Sequence, residues 1–152
     1  MATTEVFHRP GVRVLLLDPD GRVLLFRGSD PARPDVPPYW FTVGGGLEPG
    51  ESAVDGAIRE TYEETGVRLA PADLSGPVWH EVVEYPFENV LYRQPQDFYV
   101  VRLGSARAVD TSGFDDVELR TVDAHRWWTA AEIRASAETV YPRCLADLVE
   151  GR

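Results

Sequence analysis

Glu60, Glu63 and Glu64 are the side chains of this chain best placed by type and spacing to do chemistry. On a helix the i, i+3 and i+4 spacing sets all three carboxylates on one face. Like charges so spaced oppose the helix by roughly 0.2–0.5 kcal/mol per pair. The cluster is therefore either a solvated patch, with Arg59 pairing to Glu63, or a site that expects a cation. Mg²⁺ takes oxygen ligands in an octahedral shell and keeps several waters. A few carboxylates on one rigid helix meet that need and leave positions for the oxygens of a phosphate. Just upstream, Gly44, Gly45 and Gly46 lead into Leu47-Glu48-Pro49-Gly50-Glu51. Glycines let backbone approach a ligand closely and expose its polar groups. The stretch reads as a glycine-rich loop feeding a helix, although an ordinary tight turn has the same composition.

The elements that must hold these residues can be read outward from them. Ser52 is placed to cap a helix running to about Thr65, with Asp55 at its third position, and Gly66 stops it. Upstream, Val12–Leu17 and Val23–Arg27 read as a hairpin about the turn Asp18-Pro19-Asp20-Gly21. Gly28–Pro38 is proline-rich and reads as a loop, and Tyr39–Val43 as a short aromatic strand. Downstream, Val78–Tyr85 and Asp97–Leu103 are expected strands, with Val90–Tyr92 between them and Ala124–Trp128 after them. Thr129 and Glu132 make a capping box for a short helix, and Val140–Val149 is expected to be a C-terminal helix with Pro142 in its first turn. Strands and helices mix without strict alternation, so α+β is the expected class, in one domain over residues 1–152.

Composition narrows the function. A 43% hydrophobic fraction fits a folded core. No apolar run approaches the ~20 residues that span a bilayer, and Met1–Pro10 lacks the apolar core of a secretory signal. Cys144 stands alone, so no internal disulfide is possible, and a cytoplasmic location is the default expectation. The net charge of -10 argues against non-specific nucleic-acid binding. It leaves room for a small anionic substrate held by local cations. No partner membrane is expected; a homodimer remains open.

Gly45, five residues, Glu51, seven residues, Arg59-Glu60-Thr61-Tyr62-Glu63-Glu64-Thr65-Gly66-Val67: this order resembles the Nudix box of the MutT-like hydrolases. Every fixed glycine and charged position of that pattern is present. The preceding hairpin, Trp40, and Trp127-Trp128 ahead of Glu132-Ile133 extend the likeness. Thr61 stands where an aliphatic residue is usual, and Val43 where many members have proline. The resemblance implies an α/β/α sandwich with a mixed sheet. It also implies Mg²⁺ or Mn²⁺ held by Glu60, Glu63 and Glu64, with the Gly45 carbonyl as a further ligand. Arg59 would orient the glutamates, and Glu51 would tie loop to helix rather than bind metal, with Gly44 and Gly46 shaping the loop.

The activity so implied is metal-dependent cleavage of a diphosphate linkage in a nucleoside diphosphate derivative or similar small substrate. Attack on phosphorus needs in-line positioning and charge stabilisation rather than a covalent nucleophile. Glu60 or Glu63 could activate the water. Outside the box Glu118, expected in a loop, is the first candidate base and Asp97 the second. Arg27, at the end of a strand near the expected cleft, is a candidate for phosphate, followed by Arg13 and Arg93. Tyr85 lies near where dinucleoside-polyphosphate hydrolases carry a tyrosine, and Trp40, Tyr39, Phe87 and Tyr92 could stack a base or fill the core. The alternatives are a catalytically inactive binding module on the same fold, which would have lost box glutamates, and an isomerase. The isomerase would need a cysteine–glutamate pair, and Cys144 lies in the tail.

Overall fold

A computed structural model describes residues 5–152; Met1–Thr4, part of the stretch read above for a signal, lie outside the described residues. The strands are β1 (Val6–His8), β2 (Gly11–Leu17), β3 (Val23–Gly28), β4 (Tyr39–Gly46), β5 (Ser75–Phe87), β6 (Val90–Arg102), β7 (Val122–Trp128) and β8 (Thr139–Val140). Four helices, α1 (Ala53–Thr65), α2 (Asp116–Thr121), α3 (Ala130–Ala135) and α4 (Leu145–Val149), complete the α+β fold. The strands form one mixed sheet in the order β1-β6-β2-β3-β4-β8, with β5 on the outer side of β6 and β7 on β3.

Two buried clusters arise from the alternation of strand side chains. Val12, Val14, Leu16, Leu24, Phe26 and Val43 pack with Ala57 of α1. Leu15, Leu17, Val23, Leu25, Trp40, Phe98 and Trp128 pack with Leu145 and Val149 of α4. α1 and α4 therefore cover different cores, which gives the layered α/β/α arrangement. Among the described residues no helix is long and apolar enough to cross a membrane.

Several sequence expectations need correction. The expected β2–β3 hairpin survives as a turn, but the two strands keep only the Leu17–Val23 pair; β3 then leaves β2 for β4 and β7. Gly44–Gly46 are not a loop. They continue β4 and pair with Arg13, Val12 and Gly11 of β2, because the ladder needs backbone groups and not side chains. Val90–Tyr92 and Asp97–Leu103 are one strand, joined to β5 by a two-residue turn, Glu88-Asn89, with φ of 48° and 66°. Positive φ at both central residues matches the twist of a hairpin. The C-terminal helix begins at Leu145: Thr139–Val140 instead pair with Tyr39 and Trp40, and Pro142 stands before the helix. The segment containing Glu118, expected to be a loop, is α2, started by a reciprocal capping box of Asp115 and Glu118.

Candidate active site

Helix α1 carries the acidic cluster, and its ends explain its position. Ser52 accepts from the Asp55 N–H (3.1 Å), and Gly66, at φ 77°, ends the helix with its N–H on the Tyr62 carbonyl. Glycine tolerates that left-handed conformation without a Cβ clash. One face of the helix is then pressed onto the sheet. Glu60 and Glu64, four residues apart, are buried at 9% and 3% exposure, while the Glu63 side chain is 41% exposed. Thr61 is wholly buried, and its hydroxyl has no partner.

Arg59 is the hub. Its guanidinium grips Glu51 with two bonds of 2.8 Å and reaches Glu60 Oε1 at 3.1 Å, Glu63 Oε2 at 3.2 Å and the Gly46 carbonyl at 3.1 Å. Glu51 in turn accepts from the Glu48 N–H at 3.0 Å. Arg59 holds the Glu51 carboxyl down at about 2. Glu51 thus ties the turn before α1 to the helix itself.

The glycine strand fits beneath these carboxylates. The Gly44 N–H donates to Glu64 Oε1 at 2.7 Å. A Cβ on Gly45 would stand 2.6 Å from Glu60 Oε1, so only glycine admits the helix this closely. The Gly45 carbonyl lies 3.0 Å from where a Cβ of Gly11 on β2 would stand. Gly44 thus presents its N–H to a box carboxylate.

Glu118 is brought to the same place. A Cβ on Gly113 would stand 3.1 Å from the Glu63 Cα, and the Asp110 N–H bonds the Thr65 carbonyl at 2.9 Å. The segment leading to α2 therefore lies directly on α1. Burial pushes the Glu60 carboxyl up to about 7, against the pull of Arg59, and Glu63 and Glu118 add to the rise. Burial also raises Glu64 well above the usual carboxylate range, helped by Glu118 and Glu60. The signal for this placement lies in Gly113 and in Asp115 and Glu118 at capping-box spacing.

The other sequence candidates are elsewhere. Arg27 pairs with Asp123 (2.9 and 3.2 Å), lies over Trp40 and belongs with the second core, away from α1. Its guanidinium is already matched by a carboxylate. Arg93 pairs with Glu84 at 2.6 Å. Asp97 meets His80 at 2.7 Å. Tyr85 stacks on Tyr92, and its hydroxyl donates to Gln94 Oε1 at 3.0 Å.

Glu60 and Glu63 thus meet the guanidinium that also serves Glu51, and Glu64 and Glu118 lie beside them. Buried carboxylates in excess of cations are costly to ionise. A hard divalent ion is the partner that oxygen donors of this kind suit. Among the described residues no three acidic, histidine or cysteine side chains already meet at the spacing of a formed metal site. The donor set fits such an ion in chemistry.

Residues 7–148 match the NUDIX domain model, and the chain belongs to that family. It is an enzyme of the Nudix pyrophosphohydrolase class, a family that generally works with divalent metal ions. An RNA pyrophosphohydrolase of Caulobacter vibrioides is 49% identical over 131 residues, covering 79% of this chain and 71% of that one. Nudix hydrolase 25 of Arabidopsis thaliana is 34% identical over 63% of this chain and 57% of its own length. The fold matches that of the dihydroneopterin triphosphate pyrophosphohydrolase of E. coli, with a TM-score of 0.66, 21% identity and coverage of 97% and 100%. A MutT protein from Methanosarcina mazei Go1 gives 0.64 at 21% identity, over 98% and 95%.

Proposed function

We propose that this chain hydrolyses a diphosphate linkage in a nucleotide-derived substrate with Mg²⁺, or Mn²⁺ in its place, held by Glu60, Glu63 and Glu64. The observation that carries this reading is the burial of Glu60 and Glu64 against the glycine strand beside Glu118, with Arg59 the guanidinium at the centre of the cluster. When bound, divalent ions neutralise the diphosphate and lower the pKa of a coordinated water. Arg59 holds Glu60 and Glu63 in register with the strand. Gly44 fixes Glu64 through its N–H. Glu118, on the segment packed over α1, is the base that receives the proton of the attacking water. The Gly45 carbonyl is the backbone oxygen that would add to the carboxylates as a ligand of the ion.

The named activity of the Caulobacter relative makes a 5′-triphosphorylated RNA end a substrate to include. The charge of -10 argues against a broad RNA-binding surface, not against one terminus reaching the site. The test is hydrolysis of a panel of nucleoside triphosphates, nucleotide sugars, dinucleotides and triphosphorylated RNA, with each product identified. EDTA should abolish turnover and Mg²⁺ or Mn²⁺ restore it. Glu63→Gln and Glu64→Gln should each lower turnover at least roughly a hundredfold while circular dichroism shows the fold retained. Full turnover in metal-free buffer would sink the reading.

A further inference from the structure

Strand β5 is thirteen residues long, and among the described residues it pairs with β6 alone. Such an edge offers a row of free N–H and C=O groups, which proteins commonly blunt with prolines and charges. Here Pro77 and Pro86 stand near the two ends and leave the middle open. The ladder itself shows which groups are free. Phe87 and Val90 close the two-residue turn as a hydrogen-bonded pair, and bonded pairs alternate with open ones along an antiparallel ladder. Tyr85, Val83, Glu81 and Trp79 therefore turn their backbone groups to β6, while Glu84, Val82 and His80 turn theirs outward. Pro86 falls in the outward set, where its missing N–H takes no bond from β6.

The side chains beside those free groups make the strand complementary to itself. A second copy laid antiparallel along the edge, with a twofold axis at Val82, sets Val82 against Val82 and His80 against Glu84. His80 already faces Asp97 at 2.7 Å, and Glu84 already binds Arg93 at 2.6 Å. Each is a directly opposed pair of β5 and β6. The joined sheet then carries a row of alternating charge across four strands: Asp97 and His80, followed by Glu84 and Arg93 of the second copy. A protonated imidazole donates from both ring nitrogens, one to each carboxylate. On the other face Trp79, 41% exposed, meets Tyr85 of the second copy. That contact extends the Phe98–Trp79 and Tyr85–Tyr92 pairs into one aromatic row. Opposite charges and aromatic rings directly across a ladder stabilise it, and like charges oppose it. This preference selects the register. With the axis one residue nearer the N-terminus, Glu81 meets Glu81. With it one residue nearer the turn, His80 meets Pro86 and the charge rows are lost. At the axis itself Val82 is 57% exposed, apolar surface that the pairing covers.

We propose that this edge is a homodimer interface, in which the β5 strands of two copies pair antiparallel about Val82 and join the two sheets into one. The glycine strand β4 lies beyond β6 and β2 in the sheet, so the contact leaves the candidate active site open. The dimer is independent of the hydrolase reading.

Sedimentation velocity of the full chain over a wide concentration range tests it. The wild type should pass from monomer to dimer as concentration rises. Val82→Lys sets two ammonium groups at the axis and His80→Glu sets like charges across it; each should raise the dissociation constant at least about tenfold. His80→Lys keeps a permanent cation between the two carboxylates and should lower it. Both side chains are exposed, and circular dichroism checks that the variants keep the fold. Crosslinking reads the register. Cα atoms of a hydrogen-bonded antiparallel pair are about 5.5 Å apart, within reach of a disulfide. Val82→Cys should link to itself under mild oxidation, with the wild type as control for Cys144. Glu84→Cys, whose counterpart would lie about 13 Å along the strand, should not. A protein that stays monomeric throughout would overturn the interface, as would a dimer indifferent to Val82→Lys. Equal crosslinking by Val82→Cys and Glu84→Cys would overturn the pairing about Val82.

Discussion

Glu118 and Glu60 offer two carboxylates for one proton, and their surroundings distinguish them. Glu60 is locked by Arg59 and pressed on Gly45, so its movement is limited. Glu118 caps its own short helix and reaches the cluster from another segment. A base that acts on the attacking water affects the transition state more than ground-state binding. Glu118→Gln should therefore lower kcat at least roughly a hundredfold with little change in KM, measured by steady-state kinetics at saturating Mg²⁺. An unchanged kcat in Glu118→Gln, with Glu60→Gln inactive, would move the base onto α1. At this scale much is legible in the sequence. The spacing of Glu60, Glu63 and Glu64 puts the acids on one helix, and α1 carries them as the spacing requires. Arg27 pairs with Asp123, 96 residues away, and local pattern says nothing about such a pairing.

At the scale of elements, the ends of α1 can be read from Ser52 and Gly66 because caps are local chemistry. The reading fails where long-range pairing decides. Gly44–Gly46 have the composition of a turn but become strand because β2 lies alongside, and Val140 pairs with Trp40 rather than starting a helix. Thr61, the departure from an aliphatic residue noted in the sequence, shows a cost within α1. Its hydroxyl is buried and makes no hydrogen bond. A buried polar group left unsatisfied costs on the order of 1–3 kcal/mol. Valine has nearly the same shape without the hydroxyl. Thr61→Val should raise stability by about 1 kcal/mol in urea unfolding, with kcat within about twofold because no box ligand is touched. A loss of stability would mean that the hydroxyl is satisfied in solution.

Across the whole molecule, the site sets two opposing pH dependences. Glu60 and Glu64 are raised by burial, so folding favours their protonated forms. Their contribution to stability falls as pH rises through the range in which they ionise. Glu51 works in the opposite sense. Arg59 holds its folded value at about 2, below the ordinary 4.5. Between those values the unfolded chain binds more protons than the folded one, so stability rises with pH there. The Glu51 contribution is complete above about 4.5 and is lost as pH falls toward 2. The total curve mixes both effects, and the difference between wild type and Glu51→Gln isolates the second, as far as the substitution leaves the buried pair unchanged. That difference should favour the wild type at neutral pH and narrow steadily as pH drops below about 4.5, in urea unfolding run without metal. Arg59 also loses its strongest partner in this variant, so Glu60 and Glu63 gain freedom. If the gap instead stays constant down to about pH 3, well inside the window in which Glu51 takes up its proton on unfolding, the bond from Arg59 to Glu51 holds by geometry rather than by charge, and the protonated carboxyl still accepts from the Arg59 fork.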